Sequence, residues 1–104
     1  FLSEAHLKVL LVLKQAQALT QRYHVVVANP PYRGGKYFNS ELKVFTKRLY
    51  PSAMQDLYAC VILRNAFLTR KGGYSALITI PNWMFLSTFE DLRNQLLHET
   101  TIVS

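Results

Sequence analysis

Residues 23–32, Tyr-His-Val-Val-Val-Ala-Asn-Pro-Pro-Tyr, constrain the fold of this chain more than any other stretch. Val25, Val26 and Val27 are β-branched and favour extended backbone, and an unbroken apolar run predicts a strand covered on both faces. Pro30 and Pro31 end that strand, because neither donates a ladder hydrogen bond and each holds its predecessor extended. Asn29 and Tyr32 are therefore expected on a stiff loop at the carboxyl end of a buried strand. In open α/β sheets that edge binds ligands.

A side-chain amide, a proline carbonyl and an aromatic ring on one rigid loop suit a planar amino group attached to a ring or an amide. Asn29 Oδ1 and the Pro30 carbonyl can each accept one N–H of such an amine, which lets its lone pair face an electrophile. Tyr32 can stack on the attached ring, and base–aromatic stacking is worth about 1–3 kcal/mol. The chemistry is positioning and electrostatic assistance, with no charged general base. The alternative is a purely structural Pro-Pro turn, and the preceding strand favours the site.

The 104 residues make at most one domain, half of them hydrophobic, so a packed core is possible. The run Val9 to Leu13 is far too short to span a bilayer, and Glu4 and His6 stand where a secretion signal would be basic. The single Cys60 excludes an internal disulfide and suggests a buried small hydrophobe in a reducing compartment. His6, His24 and His98 are isolated, with no metal-ligand spacing, so no metal is expected. A soluble, cytoplasmic chain is predicted.

The net charge of +6 favours a polyanionic partner. Arg33, Lys36, Lys43, Lys47 and Arg48 follow the Pro-Pro motif directly, interleaved with Tyr37, Phe38, Phe45 and Tyr50, and Glu41 is the one acid among them. Such a segment either meets phosphates while its aromatics stack or is a solvated basic face.

Helical spacing of Leu2, Ala5, Val9, Val12, Leu13 and Ala16 predicts a helix over 2–18, with Ser3 near its start. A strand over 24–28 follows. Gly34-Gly35 opens a loop that permits unusual backbone but matches no nucleotide-binding fingerprint. A short helix is expected near 39–48, with Leu42, Phe45 and Leu49 a turn apart. Ser52 with Gln55 reads as a capping box opening a helix over 52–70, which carries Met54, Leu57, Tyr58, Val61, Ile62 and Leu68 and stops at Lys71-Gly72-Gly73. Tyr74 to Ile80 reads as a second buried strand stopped by Pro81, and the β-α-β unit predicts parallel strands with a right-handed crossover. Trp83, Met84 and Phe85 form an apolar loop, with Trp83 assigned to packing before recognition. A second capping box, Ser87 with Glu90, predicts a helix to His98 with Phe89, Leu92, Leu96 and Leu97 on one side.

Asn29-Pro30-Pro31-Tyr32 resembles the catalytic motif of the S-adenosylmethionine-dependent amino methyltransferases, above all those that methylate adenine N6 in DNA. Asp56-Leu57-Tyr58, Lys71-Gly72-Gly73-Tyr74 and Pro81-Asn82-Trp83-Met84 follow in the order and spacing of that family's next elements. Arg33-Gly34-Gly35-Lys36 with Trp83-Met84-Phe85-Leu86-Ser87 most resembles the PglX adenine methyltransferases of BREX phage-defence systems. The type IIG restriction-methylation fusions are similar. The resemblance covers roughly residues 23–98.

The resemblance implies an α/β fold, the C-terminal part of a doubly wound, Rossmann-like class I methyltransferase domain. It makes Asn29, Pro30 and Tyr32 catalytic and sets Pro31, Arg33 and Lys36 against the substrate. Asn29, Asp56 and Leu57 would lie against S-adenosyl-L-methionine, although Asp56 suits equally an acid favoured by a helix dipole. The implied partner is double-stranded DNA, with further defence-system subunits possible. The family's glycine-rich cofactor motif and its ribose-binding acid are absent, and its second base-sandwiching aromatic would lie beyond Ser104. The chain is thus expected to be a piece of a larger enzyme that cannot methylate alone. Methylation of guanine N2 in RNA or of a protein glutamine remains open from the tetrapeptide, as does a non-catalytic nucleic-acid-binding module.

Overall fold

A computed structural model describes residues 3–103. The order is α1 (Glu4–Thr20), β1 (Tyr23–Ala28), a 3-10 turn at Gly35–Tyr37, α2 (Ser40–Leu49), α3 (Leu57–Leu68) and β2 (Thr69–Leu77). Two further 3-10 turns, Pro81–Met84 and Ser87–Phe89, lead into α4 (Glu90–Glu99). β1 and β2 pair in parallel, with α3 as the crossover, as the β-α-β pattern predicts. The chain is a mixed helix and strand assembly.

The ladder is regular from Val25↔Tyr74 to Ala28↔Leu77, and the Ile78 N–H extends it to the Ala28 carbonyl at 3.1 Å. Before it, Tyr23 pairs with Thr69, so residues 70–73 bulge out of the strand. Gly72 turns that bulge with φ +79°, where a side chain would be strained. A Cβ on Gly73 would meet the His24 carbonyl at 2.6 Å, so only glycine lets the strands approach there. The expected strand start at Tyr74 is thus the start of the regular ladder. At its far end the strand stops at Leu77, and Pro81 instead begins a 3-10 turn, where its missing N–H costs nothing.

α3 covers one face of the pair. Asn65, buried in the middle of that helix, donates to the Val26 carbonyl (3.1 Å) and to Ser75 Oγ (2.9 Å), which ties both strands to it. Tyr58, Ala59, Cys60, Ile62 and Leu63 of α3 form the core with Ala53 and with Phe89, Leu92 and Leu96. The strands were expected to be covered on both faces, and here they are not. Val25 and Val27, 60% and 71% exposed, share the other face with Tyr74, and no described element packs on it.

Neither expected capping box forms, and the first is replaced by tertiary bonds. Ser52 Oγ donates to Gln95 Oε1 and Gln55 Nε2 to the Thr88 carbonyl, so these side chains hold α4 and the turn before it. α3 consequently starts five residues later than the predicted 52, capped by Asp56, and Met54 lies outside it, exposed. Ser87 opens a 3-10 turn and caps nothing, so α4 begins at Glu90. Leu97 points away from Leu92 and Leu96 and is exposed.

α1 is capped by Ser3, whose Oγ accepts from the His6 N–H, as expected. Leu2 of the predicted stripe lies outside the described residues. No residue of α1 is buried, so its apolar positions pack on nothing described. The radius of gyration is 16.2 Å, where a compact domain of this length needs about 13 Å. α1 is tethered by the Tyr23 hydroxyl on the Ala18 carbonyl and by Arg64 on the Leu19 carbonyl.

Candidate active-site loop

The Asn-Pro-Pro-Tyr motif leaves β1 at its carboxyl end, as the sequence predicts. Asn29 is exposed, and among the described residues its side chain makes no hydrogen bond. Pro30 is buried beneath it and Pro31 is exposed. Tyr32 is half-exposed and held at two points. Its hydroxyl donates to the Ile78 carbonyl just past β2 (3.3 Å), and its ring meets Tyr58 edge-on at 5.6 Å and 78°.

The residues after the motif are strapped to the start of α3. The Arg33 N–H donates to Asp56 Oδ1 (2.9 Å), the Leu57 N–H to the Arg33 carbonyl (2.9 Å), and the Gly35 N–H to the Gln55 carbonyl (2.8 Å). Gly34 and Asp56 form an antiparallel bridge at the centre of this strap. Asp56 Oδ1 also accepts from the Tyr58 N–H (3.2 Å) and so caps α3. One carboxylate therefore fixes both the helix and the exit of the motif loop.

The glycine pair acts differently from the expectation. Gly34 has an ordinary φ of −64°. Gly35 is required for space, since a Cβ there would sit 2.7 Å from the Met54 carbonyl. Close packing of two backbones, not unusual dihedrals, explains this glycine.

Arg33 and Lys36 bracket one aromatic ring. Arg33 Nη2 donates to the Tyr37 carbonyl (3.2 Å) with its guanidinium 6.0 Å from the Tyr37 ring centre, and Lys36 Nζ lies 4.9 Å from the same centre. Asn39 caps α2 by accepting from the Leu42 N–H. On that helix Leu42 is half-buried and Thr46 buried, while Phe45 and Leu49 stay about half exposed, because the inward face follows i, i+4 spacing. Lys43, Lys47 and Arg48 are exposed. Trp83 packs against the core and donates from Nε1 to Thr79 Oγ1 (3.1 Å), in line with the packing assignment.

The structure thus joins Asn29, Pro30, Tyr32, Arg33, Asp56 and Leu57 in one connected unit. Lys36 enters it only through Tyr37. Burial, and then the nearby Asp56 carboxylate, raise the Tyr58 phenol above its ordinary value. The same two causes push the Cys60 thiol up to about 11. Among the described residues no three His, Cys, Asp or Glu side chains gather where they could hold a metal, and no helix is long and apolar enough to cross a membrane. Sequence reasoning missed Asn65, a polar residue one turn from Ile62 and Leu68 on a buried helix, and the double use of Asp56. An acid directly before an apolar helical stripe was the available signal for the second.

The family model described as Eco57I restriction-modification methylase matches residues 4–104. The chain is 42% identical over 102 residues to the adenine-specific methyltransferase BrxX of Escherichia coli O9:H4 (strain HS), covering 97% of this chain and 8% of that protein. It is 36% identical over 85 residues to the adenine-specific methyltransferase PglX of Lacticaseibacillus casei (strain Zhang), covering 82% of this chain and 7% of that protein. The chain spans less than a tenth of the length of either relative. With the motif loop in place at the carboxyl end of β1 and the family match running from α1 through α4, the chain belongs to the Eco57I restriction-modification methylase family.

Proposed function

We propose that this chain carries the catalytic loop of a DNA adenine-N6 methyltransferase that marks host DNA in phage defence. One observation supports the reading most. The exposed Asn29 amide, the Pro30 backbone and the Tyr32 ring leave one strand end on a loop strapped by three hydrogen bonds to α3. In this reading the parallel pair belongs to a doubly wound, Rossmann-like sheet. The apolar, uncovered face of Val25, Val27 and Tyr74 is the kind that further helices of such a sheet cover. The protein works in the cytoplasm on double-stranded DNA.

The residues present suit S-adenosyl-L-methionine with Asn29 at its methyl-transfer end and the Asp56-Leu57 turn beside its adenosine end. Asn29 has an uncommitted amide, and Leu57 offers half-buried apolar surface at the first turn of α3. Asp56 Oδ1 is committed to two backbone N–H groups, so Asp56 would contribute by shaping that turn as well as by its charge. The cofactor, when bound, supplies an electrophilic methyl group.

The target amine of duplex DNA lies inside the base stack, so the base is flipped out at a cost of about a few kcal/mol. Tyr32 offers its exposed side to the flipped ring, while the Ile78 carbonyl and Tyr58 hold the other edge. Asn29 Oδ1 and the Pro30 carbonyl accept the two amine N–H groups, which turns the nitrogen lone pair outward. Pro31 keeps the loop stiff. Arg33 and Lys36, ordered on Tyr37, supply the cations that meet phosphates flanking the flipped base in this reading.

The test uses the full-length protein with DNA and S-adenosylmethionine, beside Asn29→Ala. N6-methyladenine detected by mass spectrometry with the intact motif, and lost in the variant with cofactor binding retained, is the expected result. Near-normal activity of Asn29→Ala would overturn the mechanism. Methylation of RNA or protein but not DNA would overturn the substrate.

A further inference from the structure

We infer that Tyr58 is the positioning residue that sets the plane of the Tyr32 ring, an inference that rests on Tyr32 as the stacking platform. A stacking ring 48% exposed needs something beneath it to fix its tilt. Tyr58 supplies that support. It is 1% exposed and meets Tyr32 edge-to-face at 5.6 Å and 78°. Its own freedom is removed from two sides. Its N–H is held by the Asp56 cap at the first turn of α3, and its ring packs on Phe89 at 6.0 Å, just before α4.

Tyr32, Tyr58 and Phe89 thus form a continuous aromatic column from the exposed motif loop into the core. The Tyr58 hydroxyl is buried and closes no hydrogen bond, although the Trp83 backbone approaches it. The ring and not the hydroxyl therefore carries the contact, since a buried polar group without a partner contributes no bond. The strap from Arg33 to Asp56 begins one residue after Tyr32 and ends two residues before Tyr58, so the two rings are held in register by the same three hydrogen bonds.

The experiment is a double-mutant cycle in the full-length protein, run once the wild type methylates a substrate and Asn29→Ala does not, so failure of the functional reading is seen first. Tyr32→Leu, Tyr58→Leu, the pair and Tyr58→Phe are compared for kcat and for the KM of S-adenosylmethionine. The expected result is a loss of kcat of about threefold to tenfold in Tyr58→Leu, the worth of one edge-to-face pair, with that KM unchanged. Tyr58→Phe stays within about twofold, and Tyr58→Leu adds no further loss on the Tyr32→Leu background. Equal losses on both backgrounds, or a Tyr58→Phe as damaged as Tyr58→Leu, would overturn the inference. Should Tyr58→Leu not accumulate folded, Tyr58→Met carries the same cycle with a more adaptable side chain.

Discussion

Adjacent glycines at 34 and 35 should respond oppositely to the same added methyl group. In Gly35→Ala the Cβ would meet the Met54 carbonyl at 2.7 Å and the Gln55 carbonyl at 3.4 Å, both fixed backbone atoms at the foot of α3. The strap must open by a few tenths of an ångström, which stretches first the 2.8 Å bond from the Gly35 N–H to the Gln55 carbonyl. Losing that bond costs about 0.5–1.5 kcal/mol, and weakening the charge-assisted Arg33–Asp56 bond costs about 1 kcal/mol more. The stiffer unfolded chain returns about 0.4–1 kcal/mol. The net is a loss of about 0.5–2 kcal/mol, or about twofold to thirtyfold in how often the loop leaves α3. Gly34→Ala places its Cβ 3.8 Å from Tyr37 Cδ2, with φ already −64°, so only the favourable unfolded-state contribution remains. Hydrogen exchange of the residue 33 and 35 amides in the full-length protein reads the strap directly, and methylation turnover reads its consequence. Gly35→Ala should exchange faster and turn over more slowly, and Gly34→Ala should match the wild type or exceed its protection. Equal behaviour of the two variants would refute the assignment of the strap as the element that orders the motif.

Asn65→Ala removes the donor shared by the Val26 carbonyl and Ser75 Oγ, at a cost of about 1–3 kcal/mol. Exchange of the Val27 and Ala76 amides in the full-length protein should accelerate at least fivefold or so, at about tenfold per 1.4 kcal/mol. The raised Cys60 thiol, with a folded value of about 11 against an unfolded 9.0, keeps its proton in the native state after the unfolded chain has lost it. Its contribution to stability is therefore full below pH 9 and is lost as pH rises from there through about 11. Resistance of the segment to proteolysis should fall across that window and fall less in Cys60→Ala. Cys60 should also resist alkylation at pH 8, which mass spectrometry would detect.

Legibility from sequence followed the range of the forces involved. Helix starts were misplaced wherever a side chain had both a local and a distant partner. Ser52 and Gln55 form a capping box on paper, yet Gln95 and the Thr88 carbonyl, 43 and 33 residues away, take their hydrogen bonds. Asp56, by contrast, finds its capping partner two residues on, and its distant partner at Arg33 was invisible. The candidate site divides in the same way. Asn29, Pro30 and Tyr32 were readable because proline geometry is local, whereas the support from Tyr58 and Ile78 comes from other elements.

Local chain preferences set where β1 stops, that a stiff amide-proline-aromatic loop follows it, that α3 carries an apolar stripe, and that β2 runs parallel to β1. Each rests on steric limits of proline, on β-branched preference or on periodicity, and these act over a few residues. Tertiary structure alone decided that Gly35 must be glycine, that Asp56 serves two elements, that Asn65 pins both strands, and that one sheet face lies open among the described residues. Those outcomes depend on which backbones and side chains meet after the chain has folded back on itself, and no local preference encodes that meeting.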